Sequence, residues 1–591
     1  MVDLRAKPYY LSDEDIAWVE STIAGMTDEE KVGQLFFDNN GGASDEELRE
    51  IIAKYHLGGF RYNGIKSHRV REVIDVIQTA SPIPLLIACN TEGGGNGSGT
   101  DGTYIGSGIK IAATDKVEYA RQLGFLANEE AAAMGNNVAF APVCDIHYNW
   151  QNTEVVSRCF GHDVQRVTDM SVAYMEGVHQ IPGYASVCKH FPGNGQDFRD
   201  AHLSSNINEF TKEEWMATYG KVYKALIDAG VDGVMGGHIM LPKYMREVKP
   251  GITDDEMLPA TLCPEILTGL LRDELGFNGV VISDATHMVG MTNRMKRKDM
   301  VPASINAGCD MFLFYNDADE DIGWMLEAYR SGVISEERMN EALTRILGLK
   351  AHLGLNKKPG KELVPPVEVL DKTLGAQKYT DTAAAIAKDA ITLVKYKDQD
   401  VLPVTPAKYK RIMLVNIKGE EGGMAQFMKL VGGGGEAKSP AEILCEKLKE
   451  KGFDAFVYEN PMDKIKRLMA EGKQAGFNDM YKAGKNAIAD FVAQQDLVIT
   501  VFNVSTGRPS YSFSKGGGEI PWYVHDVPTI GISVNAPTML ADVPTLRTYI
   551  NAYDSKPYTL DALVDKLMAG PEAFTGIDPI DSFCGLWDTH L

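Results

Sequence analysis

Eight short apolar runs, rich in β-branched and aromatic residues, punctuate the first part of the chain. They are VGQLFFD from Val32, LGGFRYN from Leu57, PLLIACN from Pro84, NVAFAPVCDI from Asn137, YASVCKHF from Tyr184, VDGVMGGHIM from Val231, GVVISDA from Gly279 and AGCDMFLFY from Ala307. Most segments between them repeat apolar residues every three or four positions, as in DEELREIIAKY, HRVREVIDVIQ, EEWMATYGKVYKALIDAG and PEILTGLLRDELGF. That spacing predicts amphipathic helices. Strand then helix, eight times over, predicts a closed parallel (β/α)8 TIM-type barrel. An open doubly wound sheet reads similarly, but eight units in roughly 320 residues favour closure.

After residue 355 the pattern breaks into KKPGKELVPPVEVLDKT, where lysines and prolines oppose regular structure. The expected organisation is a barrel over 1–355, a linker over 356–380 and a smaller α/β domain over 381–591. In the last, a helix (AAAIAKDAITLVK) leads to RIMLVNI, FDAFVYE, DLVITVFNV, PTIGISVN and LRTYINAYD. A layered αβα arrangement on a parallel sheet is the expected form.

Composition acts mainly by exclusion. The 591 residues are 44% hydrophobic and 24% charged, the mix of a folded protein with more than one core. No apolar run has the length of a membrane span. With 59 basic against 81 acidic residues the net charge is −22, a surface that repels phosphate backbones and anionic headgroups. Neither nucleic acid nor membrane is expected as a partner, and the oligomeric state is not readable. The eight cysteines are scattered, without a C-x-x-C pair, and read as reduced thiols. The start, MVDLRAKPYYLSDEDIAW, lacks an export signal, so a cytoplasmic location is expected.

In a barrel of this type chemistry is carried on the loops past the strand C-termini. Asp284 falls where the seventh run stops. It is either a catalytic carboxylate or the N-cap of the next helix. The fifth run continues KHFPGNGQDFRDAH, with Lys189 and His190 adjacent and Asp200 two positions before His202. An Asp-x-His pair lets the carboxylate orient the imidazole and raise its basicity, giving a proton shuttle; the alternative is a surface pair of little consequence. Arg158 follows a polar loop after the fourth run. Gly97, Gly99 and Gly102 formally satisfy G-x-G-x-x-G, but no helix opens after them, so a loop is expected instead of a dinucleotide site. Gly432 to Gly435 and Gly516 to Gly518 read as turns. His238, with His190 and His202, lacks zinc-ligand spacing, so no metal is expected, and no cofactor is called for. Glu420, Glu421 and Glu519 are read as solvated.

KHFPGNGQDFRDAH, taken with PATLCPEILTGLLRDELGFNGVVISDATHM, resembles glycoside hydrolase family 3, and within it the bacterial β-N-acetylglucosaminidase branch, marked by K-H-F-P-G-x-G, four residues, then D-[ST]-H. NTEGG, FAPVCDI, SRCFG and GGHIM extend the likeness over most of the first 350 residues, and AAAIAKDAITLVK is similar to the start of the second domain in two-domain members. The resemblance implies a retaining, exo-acting β-N-acetylglucosaminidase on small saccharides such as muropeptide or chitin-oligosaccharide fragments. It makes Asp284 the nucleophile, His202 the acid/base, Asp200 its partner, and Lys189, His190 and Arg158 sugar-binding. Four positions depart from the pattern. Asn90 replaces the aspartate expected to take the sugar's O4 and O6, Gly95 replaces an arginine, and Ala201 and Asn194 replace Ser/Thr and His. Phosphorolysis, plain β-glucosidase activity and a non-catalytic sugar-binding role remain as alternatives.

Overall fold

The computed structural model describes residues 2–397, 400–419, 438–459, 461–473, 487–504 and 522–581. The two glycine runs of the second domain, Glu420, Glu421, Glu519 and Cys584 lie outside the described residues. The chain partitions into two compact units, one of Met1–Gly108, Lys116–Tyr148 and Arg158–Ala383, the other of Ile109–Asp115, Asn149–Ser157 and Ala384–Leu591.

The first unit is a closed barrel, and each of the eight apolar runs supplies one strand. These are β1 (Phe36–Asp38), β2 (Gly59–Arg61), β3 (Leu86–Cys89), β4 (Val138–Ala139), β5 (Ala185–Phe191), β6 (Gly233–Gly236), β7 (Val280–Ala285) and β8 (Met311–Leu313). Every neighbouring pair is parallel, and β8 closes on β1 with Phe36 opposite Phe312. The local signals explain the helices between them. Helix α1 (Asp45–Tyr55) starts on a reciprocal Ser44–Glu47 capping box and buries Leu48 and Ile52, one turn apart on a single face. It stops at His56, whose backbone is left-handed at φ 52°. One predicted helix differs in kind. Glu265–Glu274 winds as a π-helix, closed by Leu275 N–H donating to Leu270 O, with Ile266, Leu267, Leu270 and Leu271 still buried.

The base of the barrel is held by charge. Asp310 accepts from Arg272, Arg338 and Arg345 at 2.7, 2.8 and 3.3 Å and from the backbone of Val281 at 2.9 Å. Burial would raise its pKa, but the three guanidiniums bring it below the usual carboxylate range. Lys350, in α2 (Glu336–His352), is fully buried and donates to Gln34 Oε1 at 2.6 Å. Burial pushes its ammonium down to about 7. The Lys- and Pro-rich stretch 356–380 holds a further helix, Val367–Thr373. It lies on the barrel, with Arg71 donating to Pro365 O at 2.8 Å, His68 paired with Asp371 at 2.8 Å and Gly375 N–H donating to Glu130 at 2.8 Å.

The second unit carries a six-stranded sheet of β9 (Thr392–Tyr396), β10 (Arg411–Lys418), β11 (Asp454–Val457), β12 (Leu497–Asn503), β13 (Thr529–Ser533) and β14 (Thr548–Asn551), in the order β9-β14-β13-β12-β10-β11. The expected parallel sheet is corrected to a mixed one, because β9 runs antiparallel to β14 at the edge. An antiparallel edge strand needs no crossover helix on its side, a common termination of parallel sheets. Period-two alternation feeds two cores. Ile412, Leu414, Leu497 and Ile499 pack under Leu444, Leu448, Leu563 and Leu567 of helices Pro440–Glu450 and Pro557–Ala569. Met413, Val415 and Val498 face Phe491, Tyr523 and Met539 on the other side. No helix of the described residues is long and apolar enough to cross a membrane.

Candidate active site

The C-terminal rim of the barrel gathers the charged residues singled out above, and two strand irregularities aim them. Adjacent residues on a regular strand face opposite ways. Along β5, however, Cys188 pairs with Val234 and Phe191 with Gly236, so two residues, Lys189 and His190, face one on β6. This β-bulge re-aims the strand end, with Lys189 reaching Glu92 and Asn90 and His190 reaching Asp145 and Arg158. A second register shift joins β7 to β8, where Met311 pairs with Ile282 and Leu313 with Ala285. Ser283 and Asp284 therefore face Phe312 alone, and the carboxylate lies at the bulge.

Glu92, three residues past β3, organises the cations. Its Oε1 is 2.6 Å from Lys189 Nζ, and Arg158 donates to it through Nε at 2.8 Å and Nη2 at 2.9 Å. Such a bidentate fork fixes direction as well as distance. Burial raises the Glu92 pKa, but Arg158 and Lys189 outweigh it and hold the carboxyl far below its usual range. Lys189 is also buried, which lowers its pKa against the pull of Glu92. Its ammonium is 3.4 Å from Asn90 Oδ1. His190 donates through Nδ1 to Asp145 Oδ2 at 2.7 Å, and its Nε2 is 3.5 Å from Arg158 Nη2. The backbones of His190 and Asn194 both donate to Asp145 Oδ1, at 3.2 and 2.7 Å. Asp145 thus ties the turn after β5 to the loop after β4.

Asp284 accepts from its neighbour, the Ala285 N–H, at 2.7 Å. Burial alone would raise its pKa. His190, that backbone donor and Lys189 turn the shift downward, so the carboxylate is ionised at neutral pH. His238 stands beneath it. Its Nδ1 lies 2.8 Å from Thr261 Oγ1 and its Nε2 lies 3.0 Å from Ala285 O. A carbonyl only accepts, so Nε2 carries the hydrogen, Nδ1 accepts from Thr261, and burial lowers the pKa of this neutral ring.

Asp200 and His202 form the expected dyad, with Nδ1 2.7 Å from Asp200 Oδ1 and the His202 backbone donating to the same oxygen at 2.8 Å. The loop tightens into a turn through Leu203 and Ser204 N–H donating to Asp200 O, at 3.0 and 2.9 Å. The imidazole side chain is 52% exposed. Burial of Asp200 is outweighed by its bonds to His202, and its pKa lies below the ordinary value.

The dyad loop is fastened to the short helix, Val289–Thr292, that follows the strand carrying Asp284. Val289 N–H donates to His202 O at 3.3 Å and Gly290 N–H to Ala201 O at 2.9 Å. A Cβ at Gly290 would lie 3.1 Å from His238 Cβ and 3.2 Å from Ala201 O, so a larger residue would press the two segments apart by a few tenths of an ångström. His238 and His287 both feel the charges of Asp284 and His202, which sets the dyad and the carboxylate around the same two rings. The three histidines of the motifs are separately engaged, His190 by Asp145, His202 by Asp200 and His238 by Thr261 and Ala285 O.

Asn90, Arg158, Lys189, His190, Asp200, His202 and Asp284 thus lie at the C-terminal ends of barrel strands or on the segments that follow them. Sequence reasoning passed over Glu92 and Asp145, although both stand inside the quoted NTEGG and FAPVCDI motifs. Arg61, at the end of β2, was passed over entirely.

Comparison with known proteins bears on the family and the fold. The sequence profile described as "Glycosyl hydrolase family 3 N terminal domain" matches residues 27–349. A Cellulomonas fimi protein named beta-N-acetylglucosaminidase/beta-glucosidase is 39% identical over 597 residues, covering 100% of both chains. Among solved structures, the beta-glucoside phosphorylase BglX superposes with a TM-score of 0.87 at 36% identity over 99% of each chain. A family 3 β-N-acetylglucosaminidase from Paenibacillus sp. shares the fold, with a TM-score of 0.75 at 24% identity, over 95% of this chain and 100% of its own.

Proposed function

The chain belongs to glycosyl hydrolase family 3 and is a glycosidase; from that premise we propose a retaining, exo-acting enzyme that releases terminal β-linked GlcNAc by double displacement. Asp284 attacks the anomeric carbon and forms a glycosyl ester. His202, protonated at Nε2, gives its proton to the departing oxygen. The neutral imidazole then takes a proton from water, whose oxygen attacks the same carbon and frees Asp284. Asp200 orients the ring and stabilises its charged form. Lys189, His190, Arg158 and Asn90 hold the sugar's hydroxyls and acetamido group. The natural substrates of this reading are muropeptide or chitin-oligosaccharide fragments met in the cytoplasm, with the domain division at 355 and 381 leaving catalysis to the barrel.

The observation that carries the reading is the pairing of a half-buried, ionised Asp284 with a carboxylate-oriented imidazole on a loop bonded to the segment just past the same strand. The test is turnover of p-nitrophenyl β-GlcNAc. Asp284→Ala is expected to lower kcat by about three orders of magnitude or more with the fold intact. A 2-fluoro glycoside is expected to label Asp284. An active alanine variant, or a label elsewhere, would refute the assignment.

A second reading has its own support. A histidine that has given up its proton is neutral, so it does not repel an incoming phosphate as a carboxylate would. The structurally similar BglX is named a phosphorylase. On this reading phosphate replaces water, and a sugar 1-phosphate accumulates when phosphate is supplied. The Cellulomonas fimi relative's double name makes β-glucosides worth assaying beside β-GlcNAc.

A further inference from the structure

Arg61 closes β2 and enters the rim between β1 and β3. Among the described residues its guanidinium donates no hydrogen bond and makes no ion pair; its recorded ring contact is the loose one to Phe314, 6.0 Å from Cζ to centroid. The site's other cations are engaged, Lys189 and Arg158 by Glu92. Burial lowers the Arg61 pKa, and Cys89, Glu92, Tyr62 and Asp284 oppose that shift. A guanidinium has five N–H donors and cannot shed its charge, so withdrawing it from water without an acceptor is unfavourable. A leucine or isoleucine there would fill the space at no such cost. The position makes sense once a ligand supplies the missing acceptors.

The surrounding charges say which part of the ligand. Arg61 feels Glu92 and Asp284. In the double displacement the glycosyl unit rests over Asp284, while the leaving group and the acceptor approach from the side of His202. A cation among Glu92 and Asp284 therefore meets the glycosyl unit. It also opposes the positive charge that builds on the anomeric carbon, so its benefit lies in holding the sugar and not in stabilising the transition state.

We infer that Arg61 is a specificity-determining residue of the glycosyl subsite, donating hydrogen bonds to one oxygen substituent of the sugar on the edge flanked by Glu92 and Asp284. This rests on the functional reading above.

The experiment is a cycle of Arg61→Met and Arg61→Lys against aryl β-GlcNAc, aryl β-glucoside and its 2-, 3-, 4- and 6-deoxy analogues. With the parent sugars, Arg61→Met is expected to raise KM by about 10- to 100-fold at nearly constant kcat, the size of one hydrogen bond to a charged donor. With one deoxy analogue, and one only, wild type and variant are expected to converge to within about 3-fold. The lysine variant should recover part of the loss, and the melting temperature of Arg61→Met should equal or exceed that of the wild type. A constant penalty across all deoxy analogues, a loss confined to kcat, or a lowered melting temperature would overturn the role of Arg61 while leaving the enzyme reading in place. A wild type with no turnover of any parent glycoside would overturn both.

Discussion

Replacing Glu92 by glutamine tests how the cations of the rim are held. The change keeps shape and one carbonyl oxygen but removes the charge facing Lys189 and Arg158. Taking away one partner of a buried ion pair costs about 3–5 kcal/mol. Lys189 is only 3% exposed and regains no hydration, whereas Arg158, at 28%, regains some. The lower end applies, about 3 kcal/mol at pH 7. At roughly 2 °C per kcal/mol in a domain of this size, the barrel's melting transition should fall by about 6 °C. The pH dependence makes the reasoning sharper. Glu92 is held below its ordinary value of 4.5 in the folded state, so its stabilising contribution is complete above that pH and is lost as pH falls through the depressed value. The gap between wild type and variant should therefore narrow by up to about 1.4 kcal/mol per pH unit below 4.5. Calorimetry of the barrel transition at pH 7 and pH 3 measures both quantities. A gap under 1 kcal/mol at pH 7, or one that does not change on acidification, would show that Glu92 does not neutralise these cations.

Two further outcomes are expected. His202→Ala should reduce kcat/KM on disaccharides by about 10²–10⁴-fold yet leave dinitrophenyl glycosides within about 10-fold, since acid assistance matters most for poor leaving groups; equal losses in a Brønsted series would sink the role given to His202. Lys350→Met should stabilise the barrel. The Lys350 ammonium is pushed from 10.5 down to about 7, so the wild type gives up stability as pH falls from the unfolded value toward 7. That penalty is on the order of 4 kcal/mol at pH 7, offset by about 1–3 kcal/mol for leaving Gln34 Oε1 unpaired. Urea titration at pH 7 and pH 10 should show a gain that shrinks at the higher pH, and a variant less stable than wild type at pH 7 would contradict the assignment.

Much of the fold was legible because each barrel strand is a continuous apolar run between amphipathic helices, so strand count and closure followed from periodicity. Asp284, Asp200 and His202 were legible because a polar residue directly after such a run must lie on the rim. Other features carry no local signature. The bulge that sets both Lys189 and His190 opposite one residue depends on how β5 pairs with β6, and strand alternation taken alone sends the two side chains to opposite faces. The ion pair of Glu92 with Arg158 spans 66 positions of sequence. Arg61 was hidden in an apolar run, where a single cation reads as an exposed strand end. In the second unit, β9 looks like any other strand, and its direction follows from meeting β14 at the sheet edge.

Gly290 and Val289 make the mounting of His202 and that of Asp284 a single part. On the proposed mechanism, a bulky aglycone that levers against the dyad turn pushes, through those two peptide hydrogens, on the segment just past Asp284. Size discrimination at the entrance and bond-making at the bottom are in this sense one setting, and an engineer who widens the first by lengthening the turn detunes the second.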